Sequence, residues 1–158
     1  MPPPPGQSRE SSIVLDAEGR FWHAGELVEH PGMQQAFATW IRRHPLDGRY
    51  VLCNGYDWSY FTVRDVPFFV RGLREEASGL ELFLSDQTRE LLDPGTLSVG
   101  QREAVYCTVK GGSFEGRFMP AAQAALLPHL FEGAAGEPVL RIGAKDHAFA
   151  TRVTAPAS

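Results

Sequence analysis

The chain has 158 residues, 43% of them hydrophobic and 22% charged, with a formal net charge of −4 at pH 7. That length suits one domain or two small subdomains, and chains of about 150 residues bury roughly 70% of their unfolded surface, so the core needs no staples. No apolar run approaches the roughly 18 residues of a membrane span, and the 15 basic residues are scattered, which argues against a membrane segment and a nucleic-acid face.

Residues 1–11, with Pro2-Pro3-Pro4-Pro5, Ser8 and Ser11, lack periodicity and are expected to form a disordered or polyproline-II tail. They carry neither the basic nor the apolar region of a secretory signal, so a cytoplasmic location is expected. Residues 12–15 and 20–23 flank the turn-like Asp16-Ala17-Glu18-Gly19 as a β-hairpin. Pro31 pre-sets a helix start, and the spacing predicts a helix over 31–44 whose Met33, Phe37, Trp40 and Ile41 form one apolar stripe. Arg42-Arg43 would complement its C-terminal dipole, and Pro45 with Asp47-Gly48 ends it. Residues 49–53 and 58–64 read as strands paired around Asn54-Gly55-Tyr56-Asp57, since an Asn-Gly step tolerates positive φ.

Residues 66–73, interrupted by Pro67, read as an edge segment or a bulged strand. The alternating run 80–84 can pair with 89–92, and Asp93-Pro94-Gly95 turns the chain towards a strand over 104–109. Lys110-Gly111-Gly112-Ser113 reads as a hinge or bulge between strand and helix. A phosphate cradle is the alternative, although the lysine precedes the glycines and the Gly-x-x-x-x-Gly-Lys pattern is missing. A second helix starts at Pro120 and is expected to kink or stop at Pro128. Residues 139–142 and 146–150 finish the fold, and 151–158 form a plain tail.

The order of elements repeats: 21–61 and 105–149 each run strand, glycine, proline-started helix, turn and two strands. The expected fold is therefore α+β: two similar strand–helix–strand halves, 12–76 and 77–150, with twisted, mainly antiparallel sheets packed on two helices. A parallel α/β architecture is disfavoured, because regular βαβ alternation is missing.

Several segments form a recognisable series: Asp16, Gly19 and Phe21-Trp22-His23-Ala24-Gly25, then Asp47-Gly48-Arg49-Tyr50-Val51-Leu52 and Val63-Arg64-Asp65-Val66-Pro67-Phe68. Later come Tyr106 to Val109 with Lys110-Gly111-Gly112-Ser113-Phe114-Glu115. Together they resemble the domain-of-unknown-function 1285 (DUF1285) family of bacterial proteins. The resemblance spans about residues 13–149 and implies an α+β fold of two similar halves, with no established activity and no catalytic residue to carry over. The segment 54–60 departs from the family's charged strand pair, so a ligand reached by it would differ.

The residues themselves offer little catalytic chemistry. His23 could carry a proton near neutral pH, but a strand-end histidine bonded to backbone is the favoured reading. His30, His44, His129 and His147 show no metal-ligand spacing, and neither a metal nor a cofactor is expected. Cys53 and Cys107 lie in apolar β-like runs and are expected as free thiols, not nucleophiles. Asp57 and Asp65 are expected to bind turn amides. Arg117 ahead of the second helix could assist an anion near Pro120.

A run of aromatics lies between 50 and 69, and a strand over 58–64 would place Trp58 and Tyr60 on one face. That face is expected to pack between the halves, with self-association second and a flat ligand third. The function expected is a non-catalytic regulatory or small-ligand-binding module. Its site is expected where the halves meet, using Trp22, His23, Trp58, Tyr60 and Arg117. A homodimeric protein-interaction module and a small enzyme with His23 as acid or base are the alternatives. The partners envisaged are a small molecule, a protein or a second copy, with neither nucleic acid nor membrane.

Overall fold

The computed structural model describes residues 8–152, so the outer parts of both expected tails lie outside the described residues. The chain divides into two compact units, Met1–Pro67 and Phe68–Ser158. The fold is α+β with strands predominating, and its ladders are mainly antiparallel. No helix among the described residues is long and apolar enough to cross a membrane.

In the first unit, β1 (Ile13–Leu15) and β2 (Phe21–His23) form the expected hairpin, closing on the pair Leu15 and Phe21. Asp16 sets the turn: its Oδ1 accepts from the backbone N–H of Glu18 and Arg20 at 2.9 and 2.8 Å, an Asx-type device. A short β3 (Glu26–Leu27) adds to β2. Helix α1 (Pro31–Thr39) starts at the expected proline, with the His30 ring accepting from Met33 N–H. Gln34 ties the helix to β2, giving its amide to the carbonyls of Phe21 and Val28 and accepting from Phe21 N–H.

The helix is shorter than the sequence pattern predicts. It stops at Thr39, and the chain continues as β4 (Ile41–Arg43), antiparallel to β5 (Tyr50–Cys53). Ile41 is 1% exposed as a strand residue, while Met33, the first member of the supposed stripe, is 38% exposed. Strand pairing at a β-branched residue thus replaces the last helical turns. After β6 (Trp58–Tyr60), which pairs with β5, buried Phe61 carries the chain over to β7 (Thr62–Val63), parallel to β1. One expected strand over 58–64 is therefore two strands in two sheets.

The second unit opens with β8 (Phe68–Glu76), followed by β9 (Gly79–Leu84) and β10 (Arg89–Leu91). For residues 66–73 the sequence offers an edge segment or a strand with a bulge, within a half ending at residue 76, and β8 is not an edge. It lies instead inside a seven-stranded sheet, between β9 and β13 (Phe114–Phe118), and belongs to the second unit. Pro67 sits just before the strand, where it removes no ladder bond, and a bulge falls between Val70 and Gly72.

The same sheet takes in β11 (Ser98–Val99) and β12 (Val105–Val109). Residues 110–113 are the hairpin turn from β12 into β13, not a hinge into a helix. Gly116, inside β13, suits close packing: an added Cβ would meet Val109 at 3.3 Å and the Phe68 carbonyl oxygen at 3.7 Å. Helix α2 (Pro120–Ala125) is followed by a 3-10 turn, Leu127–His129, so Pro128 ends the helix as expected. A meander of β14 (Leu130–Glu132), β15 (Pro138–Ile142) and β16 (Lys145–Ala148) follows, and β17 (Ala150–Thr151) joins β11 in parallel. In each unit a helix thus leads into a three-stranded antiparallel meander.

Both inner tail ends are held. Tyr60 N–H donates to the Arg9 carbonyl at 2.7 Å, and Arg152 N–H donates to the Val99 carbonyl at 2.9 Å.

Candidate functional site: an arginine-lined cleft

The turn joining β11 to β12 is unusual for its residue types. Gly100 N–H donates to the Ala104 carbonyl at 2.8 Å, and Ala104 N–H donates back to Gln101 at 3.1 Å. Between them Arg102 (φ 56°) and Glu103 (φ 60°) are consecutively left-handed, a conformation that residues with a Cβ adopt at a cost. Gln123 from α2 holds this turn. Its side-chain amide donates to the Glu103 carbonyl at 2.9 Å and its Oε1 accepts from Val105 N–H at 3.3 Å.

Beside this turn lies a cleft of about 390 Å³ lined by Arg102, Ala104, Arg117, Phe118, Gln123 and Leu127, among others. That volume suits a small molecule. Phe118 is buried beneath it, whereas Leu127 is 64% exposed. Arg117 stands on β13 opposite Tyr106, with its guanidinium 5.9 Å from the Tyr106 ring. Arg152 stacks on the same ring at 4.1 Å and is ion-paired to Glu115.

Of the residues singled out in the sequence, Arg117 alone lines this cleft. Trp22 is half-buried, and its indole N–H donates to Asp16 Oδ2 at 2.8 Å. Burial alone would raise the Asp16 pKa, but hydrogen bonds from Trp22, Arg20 and Glu18 hold it below its ordinary 3.8. His23 is exposed at the end of β2, opposite Ile13 and Glu26.

Trp58 and Tyr60 do come together, 5.3 Å apart, and His44 joins them at 5.1 and 5.7 Å. Their face is covered by this unit's own cations: the Arg9 guanidinium lies 4.7 Å from the Trp58 ring and that of Arg49 lies 3.7 Å from Tyr60. The Tyr60 hydroxyl donates to Asp47 at 2.6 Å, which raises the Tyr60 pKa and lowers that of Asp47. A smaller cavity, about 160 Å³, lies against Phe37, Trp40, Leu52, Asp57 and Trp58. Trp22, His23 and Tyr60 line neither cavity.

The sequence reading missed Arg102 and Gln123. A glycine followed by polar residues between two strands does signal a turn, but nothing in Gln101-Arg102-Glu103 announces left-handed backbone.

No family model and no curated protein matches the chain. Solved structures do. A DUF1285 family protein from Silicibacter pomeroyi DSS-3 superposes with a TM-score of 0.70 at 15% identity, over 90% of this chain and 81% of its own. The fold is that of DUF1285 family proteins. A second DUF1285 structure, from Shewanella baltica OS155, has a TM-score of 0.58 at 18% identity and covers 77% of this chain and 94% of its own. The DUF1285 resemblance carried by the sequence motifs therefore has its counterpart in structure, at the level of fold.

Proposed function

We propose that the protein is a non-catalytic, small-ligand-binding module of a cytoplasmic regulatory kind, with the cleft beside Gln123 as its site. The observation that supports this is the chemistry of the lining. Its polar members are Arg102, Arg117 and Gln123. A guanidinium stays protonated and an amide does not titrate at neutral pH, so these groups can bind and orient but are poor proton carriers. The helix-plus-meander order in each unit supports the further reading of two related halves.

Native mass spectrometry on gently purified protein tests the binding reading. Ala124 is exposed and lines the cleft, so Ala124→Phe should fill the space without disturbing the core. An extra mass lost on denaturation and missing from the variant is the expected result. An extra mass retained in full by the folded variant would assign the ligand elsewhere.

A further inference from the structure

We infer that the cleft takes a small amphipathic oxyanion, a carboxylate or phosphate monoester with a short apolar body, and that Arg102 grips its head. The inference rests on the ligand-binding reading above and adds the ligand's chemistry.

Four observations converge on it. Arg102 and Arg117 line one cleft, and a guanidinium there can bind an oxyanion through two parallel hydrogen bonds. The chain has 19 acidic residues against 15 basic ones, and Arg49, Arg74, Arg141 and Arg152 each engage a carboxylate. The Arg102 guanidinium, by contrast, forms neither a hydrogen bond nor an ion pair with another described residue.

The backbone gives the third observation. Arg102 is held at φ 56° and ψ 30°, where glycine would be more comfortable. Gln123 braces that conformation by bonding Glu103 and Val105 on the far side of the turn. A disfavoured backbone braced from outside fixes where the Arg102 side chain leaves the chain, which is the preorganisation a binding group needs. The fourth is the apolar wall: Leu127, 64% exposed, offers a surface for a hydrocarbon body beside the charged head, above the buried Phe118.

Calorimetric titration of the whole protein with hexanoate, hexyl phosphate and hexan-1-ol tests this. At least one anion should bind about tenfold or more tightly than the alcohol. Arg102→Gln should erase that preference and Ala124→Phe should abolish binding. Competition by acetate or by inorganic phosphate then tells a carboxylate site from a phosphate site. Arg102→Gly should lose the anion yet melt at a higher temperature than the parent, because the strain is relieved as the grip is removed.

Equal binding of alcohol and anions, abolished by Ala124→Phe, would overturn the oxyanion inference and leave the cleft as a ligand site. Anion binding unaffected by Ala124→Phe would overturn both. Anion binding that survives Arg102→Gly, in a variant less stable than the parent, would remove Arg102 from the site.

Discussion

Lys110 Nζ lies 2.6 Å from Asp86 Oδ2 and 2.6 Å from the Thr88 hydroxyl. The contact joins the β12–β13 turn to the β9–β10 turn, and Glu90 adds to it by accepting from the Lys110 backbone N–H at 3.1 Å. Lys110, Gly111 and Gly112 have φ of 57°, 68° and 87°, so the glycines serve a tight turn. The lysine that could have served a phosphate is committed to a carboxylate. Lys110→Met should leave Asp86, whose side chain is 11% exposed, without its cation. Urea denaturation should show a loss of about 1–3 kcal/mol; an unchanged midpoint would show the pair to be energetically idle.

The same pair gives a pH dependence. Burial alone would raise the Asp86 pKa, but the bonds from Lys110 and Thr88 outweigh it and hold the value below 3.8. The folded pKa is therefore lower than the unfolded one. The stabilisation is complete above the unfolded value and is lost as pH falls through the folded value. The wild type should lose stability on acidification more steeply than Asp86→Asn, and equal acid slopes would contradict this.

Asp16 carries three hydrogen bonds, from Glu18 N–H, Arg20 N–H and the Trp22 indole. Asp16→Ala should cost about 1–3 kcal/mol by chemical denaturation. Trp22→Phe, which removes one of the three donors and shrinks the ring, should cost less. The reverse order would place the turn's stability in ring packing instead of in the carboxylate.

Cys107 is 2% exposed, and burial pushes its thiol pKa up to about 12. Thiolate is the reactive form, so in a Cys53→Ala variant the remaining thiol should resist a disulfide reagent at pH 8 until denaturant is added. Rapid native labelling would mean that β12 opens readily.

His23 is exposed and lines neither cavity. His23→Ala should change stability by no more than about 0.5 kcal/mol and leave ligand binding untouched. Loss of binding would return the acid–base reading to consideration.

Local punctuation was readable from the sequence, and long-range competition was not. Asp16 with Gly19, Pro31, Asn54-Gly55 and Pro128 each act within a few residues, and each marks a turn or a helix boundary as expected. Trp40 and Ile41 fit the helical stripe equally well, and only the pairing of Ile41 with Leu52 makes that segment a strand. Pro67 left an edge segment and a bulged strand both open, because a sequence cannot show that β13 will arrive in parallel beside β8. At the cleft, Arg117 was legible as a cation ahead of a proline-started helix. Arg102 was not, since its place beside the cleft depends on a backbone conformation that Gln123 braces from α2.

The seven-stranded sheet draws on both chain ends of the second unit, β8 at its start and β17 after its meander. Every ladder of the first unit is complete once Val63 has been made. During synthesis that unit can close while β8 still waits for its parallel neighbour, with Phe68, Phe69 and Val70, all buried at the end, uncovered. Non-local pairing of this kind is slow and invites aggregation. Stalled chains ending near residue 110 should therefore resist protease over the first unit and be cut in the second; uniform cleavage would refute the sequence of events. On this topology a finished front half can precede a back half that is still looking for partners.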